Sequence, residues 1–361
     1  MPIPFRLRPA LLGAAALMFL LAVAASTAKA DVVVHELGTK QQQMASAEDF
    51  WTPERKREAK PMPVPKLAPP KAGEEAGSGA VRSLSQGPAT DGKPIYINGQ
   101  GPTMGPLARK GHKGHKGHKG HKGTDKLPKH PKFKTGPVPP SLYGSAPIRN
   151  EGKLYMAFGQ KLFTCTATVV ASKTHTVIFT AGHCIYNKRL GFASSVAFFP
   201  ASFGGYNTHG FWAGTRIITN GQWVHRKNEK FDYAALKMAG PQGPIGSVVG
   251  ESGLALNAGR RHRELALGYP NNLGGTQVMW ACASRLIGDD PFNHGRGKKN
   301  IAIGCNMSHG CSGGGWQITR KNRYYVNSVS SYFYATKRFN NILFGPYLTK
   351  HARKVVRRAA R

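Results

Sequence analysis

Three short stretches carry residue types that together could hydrolyse an acyl bond. The first, Phe179-Thr180-Ala181-Gly182-His183-Cys184, is a β-rich run that stops at a glycine and would present His183 on a loop. Cys165, 19 residues before Cys184, could tether that loop. An imidazole can take up and return a proton near neutral pH, which suits a general base. The second, Phe231-Asp232-Tyr233-Ala234-Ala235-Leu236, opens a strand with an acid. Its carboxylate could accept an imidazole N–H and so fix the ring's tautomer and orientation. The third, His309-Gly310-Cys311-Ser312-Gly313-Gly314-Gly315-Trp316, places a serine among glycines. Such a turn can aim consecutive backbone N–H groups into one concavity, an oxyanion site, beside a serine nucleophile. Each stretch alone has an ordinary structural reading. Their order, His then Asp then Ser at separations of 49 and 80 residues, is what points to chemistry.

These groups need rigid elements to hold them. Runs rich in Val, Ile, Phe, Tyr and Thr recur between Gly, Asn and Pro at 165–171, 176–180, 195–199, 215–219, 233–238, 264–269, 276–281, 300–303, 316–319 and 324–329. Many short strands at this spacing predict an all-β sandwich or barrel for residues 141–361. Only residues 346–361 read as a helix, with Tyr347, Leu348, His351, Val355 and Val356 on one face and the basic residues toward water and the C-terminus. A chain of 361 residues permits two domains at most. Its 44 Gly, 25 Pro and mean hydropathy of −0.36 exclude a polytopic membrane protein.

With the three stretches in this order, residues 141–361 resemble the chymotrypsin-like (trypsin-like) serine proteases. Thr180-Ala181-Gly182-His183-Cys184 is the most specific element and Ser312-Gly313-Gly314 the next. The secreted bacterial branch that includes glutamyl-endopeptidase-like enzymes is the most similar. Gly268-Tyr269-Pro270, the Cys-Ser-Gly-Gly run before Trp316, and Phe344-Gly345-Pro346-Tyr347 before a C-terminal helix carry that likeness. The resemblance implies two antiparallel β-barrels packed face to face, with the site between them. His183 and Asp232 would come from the first barrel and Ser312 from the second. By the same mapping His183 is base and then acid, Asp232 orients it, Ser312 attacks, and the N–H groups of Gly310 and Ser312 form the oxyanion hole. It also implies a Cys165–Cys184 disulfide beside the histidine and a chemistry that needs no metal or cofactor.

Several positions depart from the family pattern. Cys311 stands where the trypsin branch has an aspartate that receives a newly cut N-terminal ammonium, and a neutral thiol cannot form that ion pair. Activation is therefore expected to proceed without it. Cys311 could pair with Cys282 or Cys305, but Cys282 with Cys305, leaving Cys311 free and buried, is the favoured arrangement. Gly315 replaces a frequent proline and is expected to loosen the turn. Asn306, with Ser330, falls at the primary specificity pocket, where a neutral amide offers no ion pair to Arg or Lys. The positive field favours acidic substrates, so a preference for Glu or Asp is expected.

The rest of the chain differs in composition. Arg6 and Arg8 precede an apolar stretch at 11–25 that ends in Ala28-Lys29-Ala30, the pattern of a cleaved secretory signal over residues 1–30. The mature chain would be secreted, extracellular or periplasmic, with no transmembrane anchor after signal removal and with disulfides permitted. Residues 31–140 lack cysteine and hold Pro-rich runs, so they are expected to be a largely disordered prosegment and linker. One short helix is expected there, from the Thr52-Pro53 start signal to Ala59, with Trp51 as a possible anchor. The stretch 51–55 also resembles prosegments of the same branch. At 111–123 a Gly-His-Lys repeat puts His112, His115, His118 and His121 three residues apart, candidates for metal binding on what otherwise reads as a solvated basic linker.

Charge completes the reading. The whole chain carries 51 Lys+Arg against 17 Asp+Glu, a net +34, and residues 141–361 alone carry +22. Binding to an anionic surface or polymer follows generically, without a specific nucleic-acid motif. The function expected is a secreted serine endopeptidase made as a proprotein, acting as a monomer on protein or peptide substrates. The alternatives are an inactive homologue serving as a basic binding module and a His-rich metal-binding or adhesion protein.

Overall fold

Glu151–Phe158 (β1) and Lys161–Val169 (β2) form an antiparallel hairpin across the two-residue turn Gly159-Gln160. Every residue of β1 is buried because its two faces meet different apolar partners. Leu154, Met156 and Phe158 join the core of the first barrel, while Tyr155 and Ala157 join a cluster with Trp51 and Phe199. Four more strands follow: Val177–Thr180 (β3), Ser195–Pro200 (β4), Trp212–Asn220 (β5) and Ala234–Ala239 (β6). They run in the order β5-β4-β1-β2-β3-β6, and β6 pairs back onto β5 to close a six-stranded antiparallel barrel. Closure leaves no unpaired barrel edge. This computed structural model describes residues 31–69, 93–99, 127–292 and 299–361.

The second barrel uses Arg263–Gly268 (β7), Trp280–Asp289 (β8), Ile301–Gly304 (β9), Gly315–Arg320 (β10), Arg323–Val329 (β11) and Ile342–Gly345 (β12). Pairing runs β12-β9-β8-β7-β10-β11. Just beyond β11, Tyr332 exchanges backbone hydrogen bonds with Phe344 of β12, which completes the ring. The fold is thus the chymotrypsin-like pair of barrels. The run at 276–281 is a strand only at its end, since 270–279 forms a loop leading to Trp280. The C-terminal helix is Lys350–Ala359, shorter than 346–361 because Thr349 caps it. Its buried face is Ala352, Val355, Val356 and Ala359, which join the first-barrel core; Tyr347 and Leu348 lie ahead of the cap.

Regular structure appears before residue 140, although the composition there predicts disorder, and three of its strands extend the sheets of the two barrels. Val32–Glu36 pairs with β5, Ile95–Ile97 pairs with Gly253–Leu256, and Phe133–Pro137 pairs with β8. Such segments need no core of their own, because they add backbone hydrogen bonds to sheets that already exist. Thr39 caps the helix Lys40–Phe50 with a capping box closed by Gln42. Thr52 caps Pro53–Glu58, and Trp51 between the two helices is buried, its indole N–H donating to Ser195 Oγ at 3.2 Å. The stretch 1–30, expected from sequence to be a signal, and the repeat bearing His112, His115, His118 and His121 lie outside the described residues. Among the described residues no helix is long and apolar enough to cross a membrane.

β1 also buries Lys153, whose Nζ donates to Thr276 Oγ1 at 3.1 Å. Burial pulls its pKa from 10.5 down to about 8. A base with a depressed folded pKa costs stability fully below that pKa, and the cost fades as pH rises toward the unfolded value. The cost is on the order of 3 kcal/mol near neutral pH. Lys153→Met is therefore expected to raise the melting temperature at pH 7 by several degrees, with the gain shrinking between pH 8 and 10; melting curves across that range check it.

Candidate active site

β3 ends at Thr180, and a single helical turn, Gly182–Ile185, follows it. That turn places His183 at the mouth of the first barrel, and a disulfide from Cys184 to Cys165 in β2 pins it. Asp232 follows the 3-10 turn Glu229–Phe231, whose Glu229 carbonyl accepts the Asp232 N–H. The Asp232 carboxylate accepts the His183 backbone N–H at 2.7 Å through Oδ1 and lies 2.8 Å from His183 Nδ1 through Oδ2. Ser331 Oγ donates to the same Oδ2. A carboxylate accepts only, so Nδ1 carries a proton, and in the neutral ring this tautomer leaves the lone pair on Nε2. Nε2 is buried and makes no hydrogen bond among the described residues.

Ser312 sits in the turn before β10. The turn is tied across the barrels by β2: Thr166 N–H donates to the Ser312 carbonyl at 2.8 Å, and Thr166 Oγ1 donates to the Gly310 carbonyl at 3.0 Å. Gly313 has φ +78°, and a Cβ there would lie 2.0 Å from Thr180 Oγ1, so only glycine fits beside β3. Ser312 Oγ is buried and, like Nε2, makes no hydrogen bond among the described residues. Gly310 N–H donates to the Met62 carbonyl at 3.3 Å.

Cys311 is free and fully buried, while Cys282 and Cys305 are bonded. Burial pushes the Cys311 thiol up to about 12, so it stays neutral. Glu151, at the start of β1, reaches the same turn: its Oε1 accepts Gly315 N–H at 3.0 Å and its Oε2 accepts Thr168 Oγ1 at 2.7 Å. Gly315 therefore does not loosen the turn. Its N–H, which proline would lack, locks it to the first barrel, and a Cβ there would meet Thr168 Oγ1 at 2.4 Å. Burial raises the Glu151 pKa well above its ordinary value, against its hydrogen bonds from Thr168 and Gly315. Glu151→Ala is expected to leave Gly315 N–H unsatisfied, to destabilise by about 2 kcal/mol and to lower kcat. Glu151→Gln, which keeps an acceptor for Gly315, is expected to retain most activity. A raised carboxyl pKa costs stability as pH climbs above the unfolded value of 4.5, so the Gln variant should also lose less stability toward alkaline pH. Melting curves and kcat for both variants check this.

The two pocket candidates are held differently. Ser330 Oγ accepts the Trp316 indole N–H at 3.1 Å, and its backbone N–H and carbonyl bond Gly314 and Gly313. Asn306 offers its carbonyl to Asn272 Nδ2 at 2.8 Å, and its Oδ1 is buried without a hydrogen bond. No hydrogen bond joins Asn306 to Ser330 among the described residues. Thr166, Glu151 and Ser331 support the site and were not singled out from sequence.

No family model matches the chain. Over 81 residues, 22% of this chain, it is 32% identical to an extracellular metalloprotease of Bacillus subtilis (strain 168), of whose length it matches 25%. The protease Anisep from Arthrobacter nicotinovorans is similar in structure, with 28% identity and a TM-score of 0.53 over 60% of this chain and 97% of that one. A thermostable serine protease, AL20, from an extremophilic microorganism is 30% identical with a TM-score of 0.54, over 60% of this chain and 99% of that one. The likeness of the two barrels to solved proteases defines the class, a protease hydrolase. The chain belongs to the chymotrypsin-like serine protease family.

Proposed function

We propose that the chain is a secreted serine endopeptidase, made as a proprotein with a signal at 1–30, a prosegment and linker at 31–140 and the protease domain at 141–361. The observation that carries the chemistry is the double grip of Asp232 on His183, through the backbone N–H and Nδ1. It fixes the tautomer that leaves Nε2 free to take the Ser312 proton as Oγ attacks the scissile carbonyl. The carbonyl oxygen, now anionic, draws on the Gly310 and Ser312 N–H groups. His183 returns the proton to the leaving nitrogen, and water repeats the cycle on the acyl-enzyme. No metal or cofactor has a part in these steps. The two disulfides support a reading of export into an oxidising compartment.

The test is labelling by a fluorophosphonate, which reacts only with an activated serine, after limited digestion of the full chain with a metalloprotease. Peptide mapping that puts the label on Ser312 supports the reading. Absence of label on a digested, folded protein would sink it in favour of an inactive homologue that keeps the barrels as a basic binding module.

A further inference from the structure

The stretch 59–67, Ala59-Lys60-Pro61-Met62-Pro63-Val64-Pro65-Lys66-Leu67, crosses between the two barrels along the site. It starts on the first barrel, where Lys60 and Pro61 pair in parallel with Phe163 and Thr164 of β2. Met62 N–H then donates to the Thr164 carbonyl at 2.8 Å, and the Met62 carbonyl accepts Gly310 N–H at 3.3 Å. Val64 N–H donates to His309 Nδ1 at 2.9 Å. The stretch ends on the second barrel, where Lys66 and Leu67 pair in parallel with Phe333 and Tyr334, and the Pro65 and Leu67 carbonyls accept the N–H groups of Phe333 and Ala335. Met62 and Val64, alternating with three prolines, are buried, Met62 in the first-barrel core cluster and Val64 in the second.

The direction of travel decides what this contact means. A substrate is cut only if its leaving nitrogen lies within reach of His183, on the first-barrel side beside Cys165–Cys184. Its acyl part must then lie on the second-barrel side, with Asn306 and Ser330. A productive peptide therefore runs, N to C, from the Phe333 side toward the Phe163 side. Residues 59–67 run the other way. Their Met62 carbonyl takes the Gly310 donor, yet the nitrogen of the Met62–Pro63 bond follows the chain toward the second barrel, away from His183. It is also a proline nitrogen with no N–H. The prolines add stiffness, since each fixes φ and lowers the entropy lost on docking.

We propose that residues 59–67 are an intramolecular inhibitor that fills the substrate cleft in reversed polarity, blocking one oxyanion donor with a carbonyl that cannot be cleaved. The inference rests on the reading of Ser312 as nucleophile. Release requires this strap to leave the cleft as a unit, without a cut by the chain's own active site inside it.

The test uses the full chain. Val64→Glu puts a carboxylate where burial is nearly complete, so it is expected to expel the strap and to raise the fluorophosphonate labelling rate at least about tenfold over the unaltered chain. Equal rates for the two proteins overturn the inhibition. Direction is read separately by disulfide trapping: Lys60→Cys with Phe163→Cys is expected to cross-link, and Lys60→Cys with Phe333→Cys is not. The converse pattern overturns the reversed polarity, as does Ser312-dependent cleavage within 59–67 of the folded protein. If neither Val64→Glu nor the digested chain labels at all, the nucleophile assignment fails, and the cross-links alone decide whether the strap lies as described.

Discussion

Ser312→Ala is expected to lower kcat on a peptide by roughly 10⁶-fold in the released enzyme while leaving KM and the melting temperature nearly unchanged. The chemical loss is total, because no other hydroxyl is held in the Gly310–Ser312 turn to form the acyl-enzyme. The structural loss is small for a local reason: Ser312 Oγ makes no hydrogen bond, so its removal orphans no partner. The bonds that shape the turn use the backbone instead, from Thr166 N–H to the Ser312 carbonyl and from Gly313 N–H to the Ser330 carbonyl. Both oxyanion donors survive, and with them a residual rate about 10³ to 10⁴ above that in water. Steady-state kinetics beside a melting curve check the pair of outcomes. A fall in kcat matched by an equal fall in melting temperature would mean the serine is structural.

Two of the residues proposed to react, His183 and Ser312, stood out in the sequence because their settings are marked locally. His183 needs a strand that stops, and Ser312 needs glycines that no larger residue could replace, as the 2.0 Å approach of a Cβ at Gly313 to Thr180 Oγ1 makes concrete. Their supports were illegible because those contacts are made far along the chain. Thr166 meets Gly310 across 144 residues and Glu151 meets Gly315 across 164. Nothing in a threonine in mid-strand or a Glu-Gly-Lys run marks either role. β1 went unread for a related reason. Both of its faces are buried, so it lacks the alternation of apolar and polar residues that betrays a half-exposed strand, and it carries Glu151 and Lys153. The strap failed as a reading of composition. Its prolines signal a chain that cannot build a core, but a segment docked on finished barrels needs only two buried side chains and a row of backbone partners.

Asp232→Asn is expected to lower kcat about 10⁴-fold near neutral pH with the fold intact. The carboxylate receives three donors, His183 N–H, His183 Nδ1–H and Ser331 Oγ–H. An amide offers one accepting oxygen and one donating nitrogen in the same space. The His183 backbone N–H cannot change its character, so the amide oxygen must turn to it, and the amide N–H₂ then faces Nδ1 and Ser331. Ser331 adapts by rotating its hydroxyl to accept. His183 adapts only by moving its proton to Nε2, which removes the lone pair that would take the Ser312 proton. The variant thus keeps every hydrogen bond and loses the base, so its melting temperature should stay within a few degrees of the parent while fluorophosphonate labelling slows in step with kcat. Ser331→Ala separates the two effects: it deletes a donor to Asp232 without inverting the tautomer, and its loss should be smaller by orders of magnitude. An Asp232→Asn enzyme within tenfold of the parent at pH 7 would mean that the tautomer of His183 is set by something other than Asp232.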